Sequence, residues 1–153
     1  MRASSLTTAA VSSAREVLSA LGEGSRVGIS NDTLGPESGG GPRYPSTNRA
    51  RRGHEFVPGA LLAGIPGLYE TEDAPLAEKM LYIHYFVGGC DWYVAELDHE
   101  TGLAFGHADL GMGFPEWGYF DLIEMESTVA NELFVIERDI HFRPQTAKEL
   151  GMS

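Results

Sequence analysis

The chain has 153 residues, 42% of them hydrophobic and 10% aromatic, which is enough apolar material for one core and too much for a wholly disordered protein. Its 22 acidic and 11 basic residues give a formal net charge of -11, which argues against generic adhesion to a phosphate backbone. A single cysteine, Cys90, excludes an intramolecular disulfide framework and any multi-cysteine zinc site.

Charge and composition both change near residue 57. Residues 1–57 hold seven basic and five acidic side chains, net +2, whereas residues 58–153 hold four basic against seventeen acidic, net -13. The chain therefore divides into an N-terminal extension over 1–57 and a compact acidic domain over 58–153. In the extension, Leu6, Ala10, Ala14, Val17, Leu18 and Leu21 recur at helical spacing, and Gly22 is a natural stop. This helix is rich in Ser and Ala, with Arg2, Arg15 and no acid before Glu16, a loose match to an organelle transit peptide; its weak apolar face and low Arg content argue against that reading. Residues 22–56, rich in Gly and Pro, read as a flexible linker. Arg49, Arg51 and Arg52 in that linker are solvated charges, or else the one place where nucleic acid could be touched. No run approaches the roughly 20 apolar residues of a membrane span, so a soluble, cytoplasmic protein without membrane contact is expected.

Beyond Gly59 the segments are short and dense. Leu61, Leu62, Ile65 and Leu68 make a brief helix or turn, and Pro75 suits the first helical turn of "APLAEK". Met80 to Val87, "MLYIHYFV", is apolar on both faces and reads as a buried central strand. Gly88 and Gly89 supply positive φ angles for a two-residue hairpin turn, which pairs Val87 with Cys90, Tyr85 with Trp92 and Ile83 with Val94. "CDWYVAEL" is the next strand, and "DHETG" is a second turn with Gly102 in the left-handed region. "LAFGH" follows, with Leu103, Phe105 and His107 expected on the face of Trp92 and Val94. After a loop of Gly111, Gly113 and Pro115 come a fourth strand, "EWGYF", and a short helix "DLIEMEST" capped by Asp121. "LFVIERDIHF" is the last strand, and "TAKELG" is a final helical turn ending at Gly151. The fold class is α+β: an antiparallel meander of about five strands, with short helices on one face, preceded by a flexible N-terminal extension.

The segments "IPGLYETEDAPLAEKMLYIHYF", "DWYVAELDHETGLAFGHADL", "EWGYFDLIEMES" and "VIERDIHFRP", in this order, resemble a family of small bacterial proteins known as a domain of unknown function. The resemblance spans about residues 60–150. Its most specific pieces are Leu68-Tyr69 with Thr71, Trp92-Tyr93, Trp117 with Gly118-Tyr119-Phe120, and Glu137-Arg138-Asp139 ahead of Phe142 and Pro144. The extension and the "GHADLGMG" loop depart from the pattern. The resemblance implies a setting on phages, plasmids and other mobile elements, and it implies no mechanism.

Several groups of residues are candidates for chemistry. Glu137 and Asp139 alternate onto one face of a strand, roughly 7 Å apart, a spacing that suits a divalent ion or divided acid and base roles; salt bridging to Arg143 or Lys148 is the blander reading. His84, His99, His107 and His141 could form a metal or catalytic cluster with Asp91, Asp98 and Asp109, but the histidines lack the helical spacing of a zinc motif. Of these, His107 stands out because it ends a strand with Asp109 two residues on, while His84 among aromatics reads as a core histidine. Cys90, at a turn, reads as a small semi-buried residue rather than a nucleophile. "GHADLGMG" lacks the lysine and the helix of a phosphate loop. No motif calls for a cofactor, and no metal set is assigned.

These features lead to an acidic protein-interaction domain, an accessory or anti-host factor that meets a basic partner and in one form mimics nucleic acid. Trp117, Tyr119, Phe114, Glu116, Asp109 and Glu137 are its expected contact residues. The alternative is a small metal-assisted hydrolase using Glu137, Asp139, His107 and Asp109.

Overall fold

The computed structural model describes residues Tyr44–Met152. The expected helix from Leu6 to Leu21 and the first part of the expected linker lie outside the described residues.

In chain order the strands are β1 (Met80–Leu81), β2 (Ile83–Val87), β3 (Cys90–Leu97), β4 (Leu103–Asp109), β5 (Glu116–Asp121), β6 (Val129–Ala130), β7 (Phe134–Val135), β8 (Glu137–Arg138) and β9 (Gln145–Thr146). One five-stranded antiparallel sheet, ordered β5-β4-β3-β2-β8, organises the molecule, and the pairs β1-β9 and β6-β7 flank it. The α+β meander is present, with β3 at its centre.

The β2-β3 register follows the sequence expectation: Val87 faces Cys90, Tyr85 faces Trp92 and Ile83 faces Val94. Of the two turn glycines only Gly88 has a positive φ, 56°, so the turn is of the II′ kind, and the expectation that Gly89 shares this conformation is corrected. The stretch Met80 to Val87 is not one buried strand either. It breaks at Tyr82, sending Leu81 to pair with Gln145 while Ile83 enters the main sheet. Burial along β2 alternates between buried and half-buried, the mark of a sheet with one closed face and one partly open face.

A bulge at Ala95 decides which residues share a face. Val94 pairs with Gly106, but Glu96 already pairs with Phe105, so β3 contributes one extra residue. The shift turns Phe105 and His107 away from Trp92 and Val94, against the sequence expectation. Gly106 makes the close approach possible, because a Cβ there would overlap the carbonyl oxygen of Tyr93.

The closed face buries Ile83, Tyr85, Trp92, Val94, Leu97, Ala104 and Phe120 against Phe56, Val57, Leu122 and Met125. Leu122 and Met125 come from the helix α3 (Leu122–Ser127), whose cap Asp121 accepts hydrogen bonds from the backbone N–H groups of Ile123 and Glu124, as the sequence suggested. The two earlier helical turns, α1 (Arg49–Arg52) and α2 (Gly59–Leu62), lie on the same side, where Leu61 and Leu62 pack on the core.

Residues 44–57 are therefore part of the packed unit and not the end of a linker. Phe56 stacks on Tyr85 at 4.3 Å, and the Tyr85 hydroxyl donates to the Phe56 carbonyl at 2.8 Å. Arg52, expected to be solvated, is buried. Its guanidinium lies 2.9 Å from Glu126 Oε1, also donates to the carbonyls of Ile136 and Glu126, and sits over the Phe56 ring at 4.6 Å. A buried charge demands such partners, and composition gives no hint of a partner so far along the chain.

The expected strand Leu133 to Phe142 is split. Phe134–Val135 turns back on β6, while Glu137–Arg138 forms the sheet edge beside β2. Likewise "TAKELG" begins as β9 and closes as a hydrogen-bonded turn at Gly151, φ 79°.

Candidate functional site

The other face of the sheet carries two rows of aligned side chains, since residues paired across antiparallel strands project to the same side. One row runs His84, Tyr93, His107, Trp117 across β2, β3, β4 and β5. The next runs Glu137, Phe86, Asp91, Asp109 across β8, β2, β3 and β4.

One end of this face is covered. Leu68, Leu81, Ala147, Leu150 and Met152 pack there with Phe105 and Tyr119. Buried Glu96 fastens the cover by accepting from the backbone N–H groups of Tyr69 and Thr71, from the Thr71 hydroxyl and from Lys79 Nζ. The other end is open as a cleft of about 360 Å³ lined by Asp91, Tyr93, His107, Asp109, Pro115 and Trp117, with Gly151 and Met152 at its border.

Within the open region His84 stacks flat on Tyr93, with ring centroids 4.4 Å apart and planes 6° from parallel. His84 Nε2 lies 2.7 Å from Asp91 Oδ1, and its Nδ1 lies 3.3 Å from Asp139 Oδ2. Only the imidazolium form donates to both carboxylates at once. Burial raises the Asp139 carboxyl, but the His141 backbone N–H and His84 more than offset it and leave the group below its ordinary value. His107 sets its ring against the Trp117 indole at 5.4 Å and 80°. Burial pushes the His107 imidazole down, opposed by Asp109, so the neutral ring is favoured. Burial, then Asp91 and Asp109, push the Cys90 thiol up; this buried group donates to the Leu110 carbonyl at 3.6 Å and is not poised as a thiolate nucleophile.

The expected site residues separate into distinct positions. His107, Asp109 and Trp117 all wall the cleft. Asp139 joins it indirectly, through His84 and Asp91. Glu137 lies on the same face, three strands from Asp109, about 14 Å at the usual strand spacing, so those two cannot act on one bond. Phe114 is 83% exposed and precedes Pro115 of the cleft wall, in a loop whose Gly111 and Gly113 have φ of 72° and 81°. Tyr119 is buried against Phe105 and beneath Tyr69, a packing role in place of the expected contact role. Glu116 pairs with Ala108 and so faces the closed side, not the cleft.

Two contributors appeared in the sequence only as members of a weak histidine and aspartate cluster. Asp91 stands directly opposite Asp109, and His84, read as a core histidine, sets one ring nitrogen against Asp91 and the other against Asp139. The alternation of β2 and the register of the Gly88-Gly89 turn contained the signal for both. Of the three arginines, Arg52 is buried; Arg51 donates to the Glu132 carbonyl, and it and Arg49 are exposed. Among the described residues no three His, Cys, Asp or Glu side chains are grouped to hold a metal ion, and no helix is long and apolar enough to cross a membrane.

Residues 70–150, which contain every strand among the described residues and the polar walls of the cleft, match the family model described as "Protein of unknown function (DUF2958)". The chain belongs to this family. No curated protein and no solved structure matches it. The family region begins after Arg52, Phe56 and Val57, so those core contacts come from outside it.

Proposed function

We propose that this family member is a protein-interaction domain, and that it meets a basic partner through the open face of its sheet. The observation that carries the reading is the pairing of Asp91 with Asp109 directly across β3 and β4, on a face that also holds Glu137 and Asp139. Like charges directly opposite one another weaken a sheet, and an incoming cation relieves the repulsion. The two rows hold no lysine or arginine, and the His84 ring already faces Asp91 and Asp139. Exposed Phe114 and Met112, in the loop that follows Asp109, offer apolar anchors.

Many of the other acids are committed locally: Glu126 to Arg52, Glu96 to the Thr71 turn, and Asp98, Asp121 and Glu149 to backbone N–H groups. Four carboxylates, Asp91, Asp109, Glu137 and Asp139, share the open face, while others, such as Glu72, Asp73 and Glu78, are exposed on other segments. On a mobile element the fitting partner is a host protein that ordinarily meets nucleic acid through lysine and arginine, with carboxylates here in the place of phosphates. The hydrolase reading lacks convergence, because Glu137 stands away from His107 and Asp109.

The test compares the wild-type chain with a D91N/D109N variant as bait in host lysate at low and high salt. Capture of a basic protein that falls with salt and is lost in the variant supports the reading; capture indifferent to both changes overturns it.

A further inference from the structure

We infer that the cleft between Asp91 and Asp109 receives the side chain of an arginine residue within a partner polypeptide. This rests on the interaction reading above. Carboxylates on two directly paired residues suit a cation with several donors in one plane, and a guanidinium provides five in a rigid fork. Each carboxylate has one oxygen engaged within the chain, Asp91 by His84 and Asp109 by the Gly111 N–H at 2.9 Å. The walls are aromatic: Tyr93, half-buried, and Trp117 suit the flat face and the methylene stem of arginine better than a compact, strongly hydrated ammonium.

A second, independent feature points the same way. His107 and Trp117 are only 8% and 6% exposed, and among the described residues His107 Nδ1 and Trp117 Nε1 have no hydrogen-bond partner. Trp92 Nε1 in the core is in the same state, but His107 and Trp117 are the two such residues that wall the cleft. An indole N–H can only donate, so when the Trp117 ring shifts to admit a ligand it calls for an acceptor, which a metal ion or a free guanidinium lacks and a peptide carbonyl supplies. A neutral His107 can accept one guanidinium N–H. Cation and carbonyl together describe an arginine residue of a chain.

The protein has two tryptophans, and Trp92 lies on the opposite face of the sheet, so the two indole N–H resonances form a built-in pair of probe and control. The full-length 15N-labelled chain is titrated with the peptide acetyl-Gly-Arg-Gly-amide, and W117F identifies the Trp117 signal by its loss. The expected result is a saturable shift of the Trp117 indole with Trp92 unmoved. Binding weakens by about tenfold or more when the arginine is replaced by citrulline, its uncharged isostere, or when Asp109 is replaced by Asn. No movement of Trp117 up to millimolar peptide, equal response to citrulline, or equal response to a lysine peptide each overturns the inference. The citrulline and lysine arms use the wild-type chain, so they stand even if a variant folds poorly. A failed peptide titration beside partner capture that still depends on Asp91 and Asp109 removes the arginine assignment alone; failure of both removes the interaction reading too.

Discussion

Arg52 and Glu126, 74 residues apart, form an ion pair at 2.9 Å with both side chains wholly buried. The pair fastens the segment around α1 to the end of α3, and Asn48 adds two bonds to Glu126, one to its carboxylate and one to its carbonyl. Removing one partner strands a charge in a place water does not reach. R52M is therefore expected to lower stability by about 3–5 kcal/mol, read from urea unfolding of wild type and variant. A chain beginning at Pro58 should be at least as damaged. An R52M protein within about 1 kcal/mol of wild type would sink this account.

Asp109 and Asp91 make the opposite kind of contribution. Replacing Asp109 with Asn removes like-charge repulsion while Oδ1 can still accept from the Gly111 N–H. D109N should therefore be more stable than wild type by about 0.2–1 kcal/mol, a difference that shrinks in high salt. Thermal melting at two salt concentrations measures it, and a destabilised D109N contradicts the reading of this face.

His107 gives the fold a pH dependence of known sign. Its folded-state value lies below that of the unfolded chain because the buried ring resists charge. Above the unfolded value of about 6.5 both states are neutral there and the stability is fully present. As pH falls through and below that point the unfolded chain gains a proton that the folded one refuses, and stability is lost. Between about pH 7.5 and 5.5 the unfolding free energy of H107F should fall less steeply than that of wild type. Equal slopes would show that the ring carries no such penalty.

Gly106 tests the bulge. A methyl group at this position meets the Tyr93 carbonyl, part of the backbone and unable to swing aside. G106A should cost about 3 kcal/mol or abolish soluble expression, whereas G89A, at a glycine with open space around it, should be mild. Comparable melting temperatures for G106A and wild type would mean that the two strands are not so close there.

How far the sequence reveals this molecule depends on the range of the interaction concerned. The β2-β3 hairpin was legible because Gly88 fixes the turn and the pairs on the closed face, Val87 with Cys90, Tyr85 with Trp92 and Ile83 with Val94, are apolar, both local properties. The Asp121 cap was legible for the same reason. The face of His107 was not, since a single extra residue at Ala95 inverts the alternation and leaves no mark in the hydrophobic pattern. The pairing of Arg52 with Glu126 was hidden too, in a stretch whose Gly and Pro content suggests a linker while a few side chains do the anchoring. At the site, His107, Asp109 and Trp117 could be picked out one by one, but Asp91 gained meaning only once the register set it against Asp109.

The brace formed by Phe56, Arg52 and α3 on the closed side has a thermodynamic corollary for the open side. With its back held by packed rings and a buried charge, the acid-bearing surface has little freedom to surrender when a ligand arrives. Association then loses less entropy than docking on a pliant sheet would, and even a small contact area can support a measurable affinity.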